Sequence, residues 1–163
     1  MFDLNEVPTT KSSSMLDNIP TLFHPYISNI YNVIGDGNCG YRALAVSLGF
    51  DQEYYETIRQ QMRDELRSRY IIYESILGPE TEPLFQSLCF FGTPCPQEYW
   101  MKMPEAGVLI ANMYGVIVHS LSISGCTTIF PFWNSPEEFQ HHRVVTIAYL
   151  NVARHFVMVE LQG

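Results

Sequence analysis

Charge is scarce in this chain, and positive charge most of all. Of 163 residues only 16% are charged, and 9 Lys and Arg face 17 Asp and Glu, for a formal net charge of −8. A nucleic-acid binder shows the opposite balance or a basic stripe. Neither is present, so no nucleic-acid partner is predicted. The acidic balance fits a basic partner, and the low charged fraction predicts that part of the surface is apolar or meets another molecule.

Long apolar runs are missing too. Stretches such as VVTIAYL are far too short to span a bilayer. The opening residues MFDLNEVPTT carry acids rather than lysines and lack the apolar centre of a secretion signal. No Asn-x-Ser/Thr acceptor occurs, and no pair among Cys39, Cys89, Cys95 and Cys126 has C-x-x-C spacing. Cys89, Cys95, His119 and Cys126 fit no common zinc pattern, and packing is their natural role. The expectation is a reduced, intracellular protein, cytoplasmic or nuclear, off the membrane and monomeric, with free thiols and no metal or cofactor.

What is present is core material. Hydrophobic residues make up 47% of the chain and aromatics 13%, enough for one domain without staples. Residues 1–20 lack periodicity and read as a flexible tail, with the domain over 21–163. Within the tail, DLNEVP resembles a short plant corepressor-recruiting motif; a disordered leader is the plainer reading. GYRALAVSLGF predicts a helix with Ala43, Leu44, Val46 and Leu48 on its buried side. Asp51 can cap the next helix, in which Tyr54, Ile58, Met62, Leu66 and Tyr70 recur every fourth residue, with a continuation to Ile76. LFQSLCFFG predicts a short helix, and a further helix runs from Glu105 to about Met113 with Gly115 past its end. VIVHSL, TTIF, VTIAYL and HFVMVEL are strand-like, the last two joined by the hairpin loop NVAR, and SPEEFQHHR is a polar connection. Helices first and strands late predict an α+β fold, a small sheet packed against helices.

The chemistry gathers at VIGDGNCGYRA. Cys39 stands where a helix begins, and the amides and dipole there lower a thiol pKa. Gly35, Gly37 and Gly40 allow close approach of a substrate, and amides in such a turn can converge as an oxyanion hole. The plain alternative is a small buried thiol beside an ordinary turn. A thiol nucleophile needs a base. His24 lies near the tail, His119 sits inside a strand, and His141 and His142 lie in a polar loop. His155 opens the last strand, where a sheet fixes a side chain well.

GDGNCGYRALA followed much later by RHFVMVEL resembles the ovarian-tumour (OTU) family of cysteine proteases, most of them deubiquitinases. EYWMKMPEAGVLIANMYGVIVHSL, with Trp100 before a helix that leads into a strand, is similar to the family as well. The GDGNCGYRA and GCTTIFPFW stretches resemble most closely the plant OTU-like proteins of Mutator-type mobile elements. The resemblance implies a papain-like fold, Cys39 as nucleophile, His155 as general base and Asp36 as the motif aspartate. It implies an oxyanion hole from the amides of Asp36, Gly37, Asn38 and Cys39, with ubiquitin or polyubiquitin as substrate. One position departs. Many members carry Asp or Asn two residues after the histidine to orient it, and here that residue is Val157. Strand alternation puts Val157 on the same face as His155. Asn151, across the hairpin loop, and Asp36 are the candidate substitutes. Val157 also favours a second reading, a catalytically weak domain that binds ubiquitin or serves a mobile element. A transcription adaptor acting through DLNEVP is a third.

Overall fold

The computed structural model describes residues 13–132 and 143–162. The DLNEVP segment and residues 135–142 of the polar connection lie outside the described residues. The elements run α1 (Ser13–Leu16), β1 (Ile27–Tyr31), α2 (Cys39–Ser47), α3 (Tyr55–Ser68), α4 (Tyr70–Leu77), α5 (Thr81–Ser87), α6 (Glu105–Tyr114), β2 (Val116–Leu121), β3 (Thr127–Ile129), β4 (Arg143–Leu150) and β5 (His155–Leu161). The strands form one sheet in the order β1-β5-β4-β2-β3. Only β2 and β4 pair in parallel, and the other neighbours are antiparallel.

Alternation along the strands gives the sheet two buried faces. Val145, Ile147 and Phe156 point to the helices. Ala148, Leu150, Val157 and Val159 point the other way and meet Ile27 and Ile30. The N-terminal segment covers that second face: Ile19 is 1% exposed, with Met15, Leu16 and Phe23 packed beside it. The folded unit therefore takes in residues before the expected boundary at 21, because this face would otherwise stay wet.

α2 is not one-sided, as its sequence suggests. Tyr41, Ala43, Leu44 and Ala45 are all fully buried, while Val46 and Leu48 are only partly so. A helix buried nearly all round needs no polar stripe, since it lies between the sheet and α3. Asp51 does cap the next turn, its carboxylate accepting from the Glu53 amide at 2.8 Å. The long helix expected to reach Ile76 breaks at Arg69, where φ is −125° and ψ is 30°. A four-residue spacing drifts by about 40° per repeat on a 3.6-residue helix, so one straight helix cannot keep Tyr54 through Tyr70 on the core. Gly115 ends α6 in the left-handed conformation at φ 60°.

Arg59 of α3 crosses the interior, 1% exposed. Its guanidinium donates to the carbonyls of Ser87 at 2.8 Å and Tyr99 at 3.0 Å, and to Asn38 Oδ1 at 2.9 Å. It stacks 4.1 Å from the Tyr41 ring centre. No carboxylate meets it among these contacts. One side chain thus fastens the end of α5, the loop before α6 and the start of α2. Arg59→Met keeps much of the volume and leaves those buried acceptors empty. The expected loss is about 3 kcal/mol of unfolding free energy, measured as a shift of the urea midpoint.

Candidate active site

The turn from β1 into α2 is built around Asp36. Its carboxylate takes two of the three Arg42 nitrogens, Nε at 3.1 Å and Nη2 at 2.7 Å, the Thr93 hydroxyl at 2.6 Å and the Asn38 amide at 3.0 Å. Burial alone would raise the Asp36 pKa, but these donors overcome it and hold the carboxyl well below the usual range. The Asp36 carbonyl accepts from the Cys95 amide at 2.7 Å, and Asn38 Nδ2 donates to the Gly92 carbonyl at 3.0 Å. The FFGTPCPQEYW loop is therefore tied down as a wall of the turn. Gly37, at φ 87°, is required there, since a Cβ would overlap the Cys95 carbonyl oxygen and lie 2.7 Å from Trp100 Nε1.

Cys39 is the first residue of α2 and is 4% exposed. Its Sγ accepts from the Phe156 amide at 3.3 Å. That contact joins the helix start to the residue after His155, across the whole chain. The helix start was expected to lower the thiol pKa. Instead burial dominates and raises it, despite the opposing amides of Phe156, Gly40 and Cys39 itself. His155 moves the other way: burial lowers its pKa, against a backbone hydrogen bond at Val33 and the charge of Asp36. Both groups are thereby held neutral.

His155 Nε2 lies 2.7 Å from Asn32 Oδ1. The same oxygen accepts from the Val33 amide at 3.0 Å, which fixes the side chain as an acceptor. Nε2 therefore carries the proton, and Nδ1 is the basic nitrogen. Nδ1 faces the turn, 3.5 Å from where a Cβ on Gly35 would stand. Reading the sequence alone does not pick out Asn32. It follows β1, which pairs with β5 at Tyr31 and Met158, so it stands beside the Val157 position on the neighbouring strand. An Asn inside the apolar stretch IYNVIG is the only hint, and the pairing of β1 with β5 is not visible in the sequence.

The structure scatters the other expected residues. Asn151 lies exposed in the β4–β5 turn, its Oδ1 accepting from Ser122 Oγ at 3.4 Å. Asp36 faces Arg42, and Val157 is fully buried in the second core face. The Asn38 amide is already given to Asp36 Oδ1. Among the described residues, the Gly37 amide has no backbone acceptor, and the Cys39 amide, like that of Gly40, acts on the Cys39 thiol. His24 Nε2 is engaged by the Ile19 carbonyl at 2.7 Å, and His119 Nδ1 by Thr128 Oγ1 at 2.9 Å. Cys95 is buried, whereas Cys89 and Cys126 are exposed rather than packed; all four thiols are free. Among the described residues, no group of three or more His, Cys, Asp or Glu could hold a metal ion. None of their helices is long and apolar enough to cross a membrane.

A cleft of about 560 Å³ adjoins the site, with Trp100, Met101, Tyr149 and Phe156 in its walls and Glu80 and Glu105 along it. Met101 packs directly against Gly40, where a Cβ would come within 2.6 Å.

This is the α+β, papain-like fold of OTU domains, with a cysteine at the start of a central helix. The OTU domain of OTUD1 superposes with a TM-score of 0.57 at 16% identity, over 80% of this chain and 84% of that one. The OTU domain protease of Dera Ghazi Khan virus gives 0.58 at 11% identity over 100% of both chains. The Hazara virus OTU, solved bound to ubiquitin, gives 0.56 at 14% identity over 98% of this chain and 88% of that one. No family model and no curated protein matches the sequence. The likeness is one of fold.

The charge states of the site can be tested in two ways. With the thiol raised above its ordinary value of 9.0 and the imidazole lowered below 6.5, a neutral thiol and a neutral imidazole are expected near neutral pH. The rate of Cys39 alkylation by iodoacetamide should climb steadily with pH up to about 9; a plateau from about pH 5 to 8 would mean an ion pair instead. Because the fold lowers the Asp36 pKa, its contribution to stability is full above its ordinary value of 3.8 and is lost as pH falls toward the folded value. Asp36→Asn should therefore be less stable than wild type at neutral pH, with the gap in thermal midpoint closing below about pH 3.

Proposed function

We propose that this chain is a cysteine-dependent deubiquitinase that cleaves isopeptide bonds after the C-terminal glycine of ubiquitin. The reading is carried by two contacts from adjacent residues of β5: the Phe156 amide donates to Cys39 Sγ, and His155 Nε2 lies against Asn32 Oδ1. In this mechanism Sγ attacks the carbonyl carbon while His155 Nδ1 takes the thiol proton. The negative oxygen turns to the amides of Gly37 and Cys39. The carbon–nitrogen bond then breaks, and the imidazolium returns its proton to the departing lysine amine. A thioester remains on Cys39, and water, deprotonated by the same Nδ1, hydrolyses it to free the ubiquitin carboxylate and the thiol.

Asn32 keeps Nε2 protonated and the ring aimed throughout, the role that the family's residue at the Val157 position would fill. The neutral resting pair means that proton transfer accompanies attack rather than preceding it. The alternative of a ubiquitin-binding module without catalysis rests on Val157, and the Asn32 contact supports the enzyme over it. The suggested kinship with plant mobile-element proteins rests on the sequence stretches alone.

A ubiquitin probe with a C-terminal electrophile tests the reading. Wild type should form a covalent adduct that Cys39→Ala abolishes, and Asn32→Ala should slow turnover of a ubiquitin aryl amide at least about tenfold with little change in KM. Folded wild-type protein that forms no adduct would remove the proposal.

A further inference from the structure

Asn18 lies in the turn that closes α1, its amide donating to the Met15 carbonyl at 3.1 Å. It is 8% exposed. Its Oδ1 accepts from the Val152 amide at 2.9 Å, 134 residues further along the chain. Val152 belongs to the β4–β5 turn, which runs from Asn151 to Arg154 and delivers the chain to His155. Asn18 is firmly seated on its own side. Ile19 is buried next to it, with its carbonyl against His24 Nε2 at 2.7 Å, and Met15 and Leu16 pack on the second face of the sheet.

The turn needs an anchor. All four of its side chains are exposed, so packing does not hold it. Arg154, directly before His155, has a left-handed backbone at φ 53°. A non-glycine residue stays in that conformation only where its surroundings impose it. A cavity of about 490 Å³ is shared by the two segments: Met15 and Asn18 line it, as do Val152, Ala153, Asn32 and His155. The turn therefore has room to shift, and a shift moves the imidazole relative to Asn32. Two further contacts reach the turn through exposed side chains. Asn151 Oδ1 meets Ser122 Oγ at 3.4 Å, and the Arg154 guanidinium lies 5.4 Å from the Trp100 ring centre. Asn18 takes hold of the backbone itself. We propose that Asn18 is a positioning residue for His155: by holding the Val152 amide it sets the turn, and through the turn the place where the imidazole meets Asn32. The segment that reads as a tail in the sequence then belongs to the scaffold of the site. This inference deepens the hydrolase reading above and rests on it for the effect on turnover.

Asn18→Ala removes the acceptor without adding bulk, and Asn18→Asp keeps an oxygen for the Val152 amide. Both are compared with wild type as the full chain, well below the unfolding midpoint. One readout is the ring nitrogen-15 shifts of His155 near neutral pH; the other is kcat and KM for a ubiquitin aryl amide. Asn18→Ala should move His155 from the Nε2-protonated form to a mixture of tautomers. It should also lower kcat about tenfold with KM nearly unchanged. Asn18→Asp should restore most of both. A merely structural role would lower the unfolding midpoint and leave the ring shifts and kcat in place. Wild-type ring shifts in Asn18→Ala overturn the proposal, as does an unchanged kcat or an equal loss in Asn18→Asp. If wild type does not cleave the amide, the hydrolase reading falls by itself. The ring shifts then decide alone whether Asn18 positions His155, which keeps the two failures apart.

Discussion

Two buried guanidiniums hold the turn on which everything else depends. Arg42 grips the Asp36 carboxylate from within α2, and Arg59 reaches from α3 to Asn38 Oδ1. Between them they fix the residues on either side of Gly37 and leave it at φ 87°. A buried ion pair adds little net stability, since desolvation consumes most of its Coulomb gain. Its value here lies in shape. Asp36 and Asn38 are thereby held in place on both sides of Gly37, directly before the start of α2. The same clamp takes in Thr93 and the Cys95 amide, so the loop that carries Trp100 is set by the turn it covers.

The second constraint is burial. A thiol at the start of a helix ordinarily gains acidity, yet Cys39 is so enclosed that the cost of desolvating a thiolate outweighs its three amide donors. His155 is enclosed in turn and prefers to be neutral. A neutral pair resists adventitious alkylation and oxidation, which track thiolate character. It also demands that the imidazole be correctly protonated beforehand, and Asn32 meets that demand by accepting from Nε2. The partner of the imidazole comes from beside the first strand rather than from two positions down the last, and the hydrophobic Val157 serves the core.

Local chemistry is legible in the sequence, and long-range pairing is not. The Asp-Gly-Asn-Cys turn, the Asp51 cap, the Gly115 stop and the strand character of the last segments all arise from residue types within a few positions of one another. So does the α+β class, which needs only the order of elements. Asn32 escapes because its meaning depends on β1 lying against β5, a contact 123 residues apart. The burial of Ile19 escapes for the same reason: nothing near it shows that a sheet face waits to be covered. The direction of the Cys39 shift runs against the sequence-based expectation because the helix start is a local feature, whereas enclosure is set by Phe156 and the Met101 wall.

Whether Asn32 holds His155 as a neutral imidazole is open to direct measurement. Nitrogen-15 NMR of histidine-labelled protein near neutral pH distinguishes the two tautomers and the imidazolium by their ring shifts. The expected spectrum for His155 is that of a neutral ring with the proton on Nε2, converting to a mixture of tautomers in Asn32→Ala. A charged ring, or a proton on Nδ1 in the wild-type protein, would contradict it.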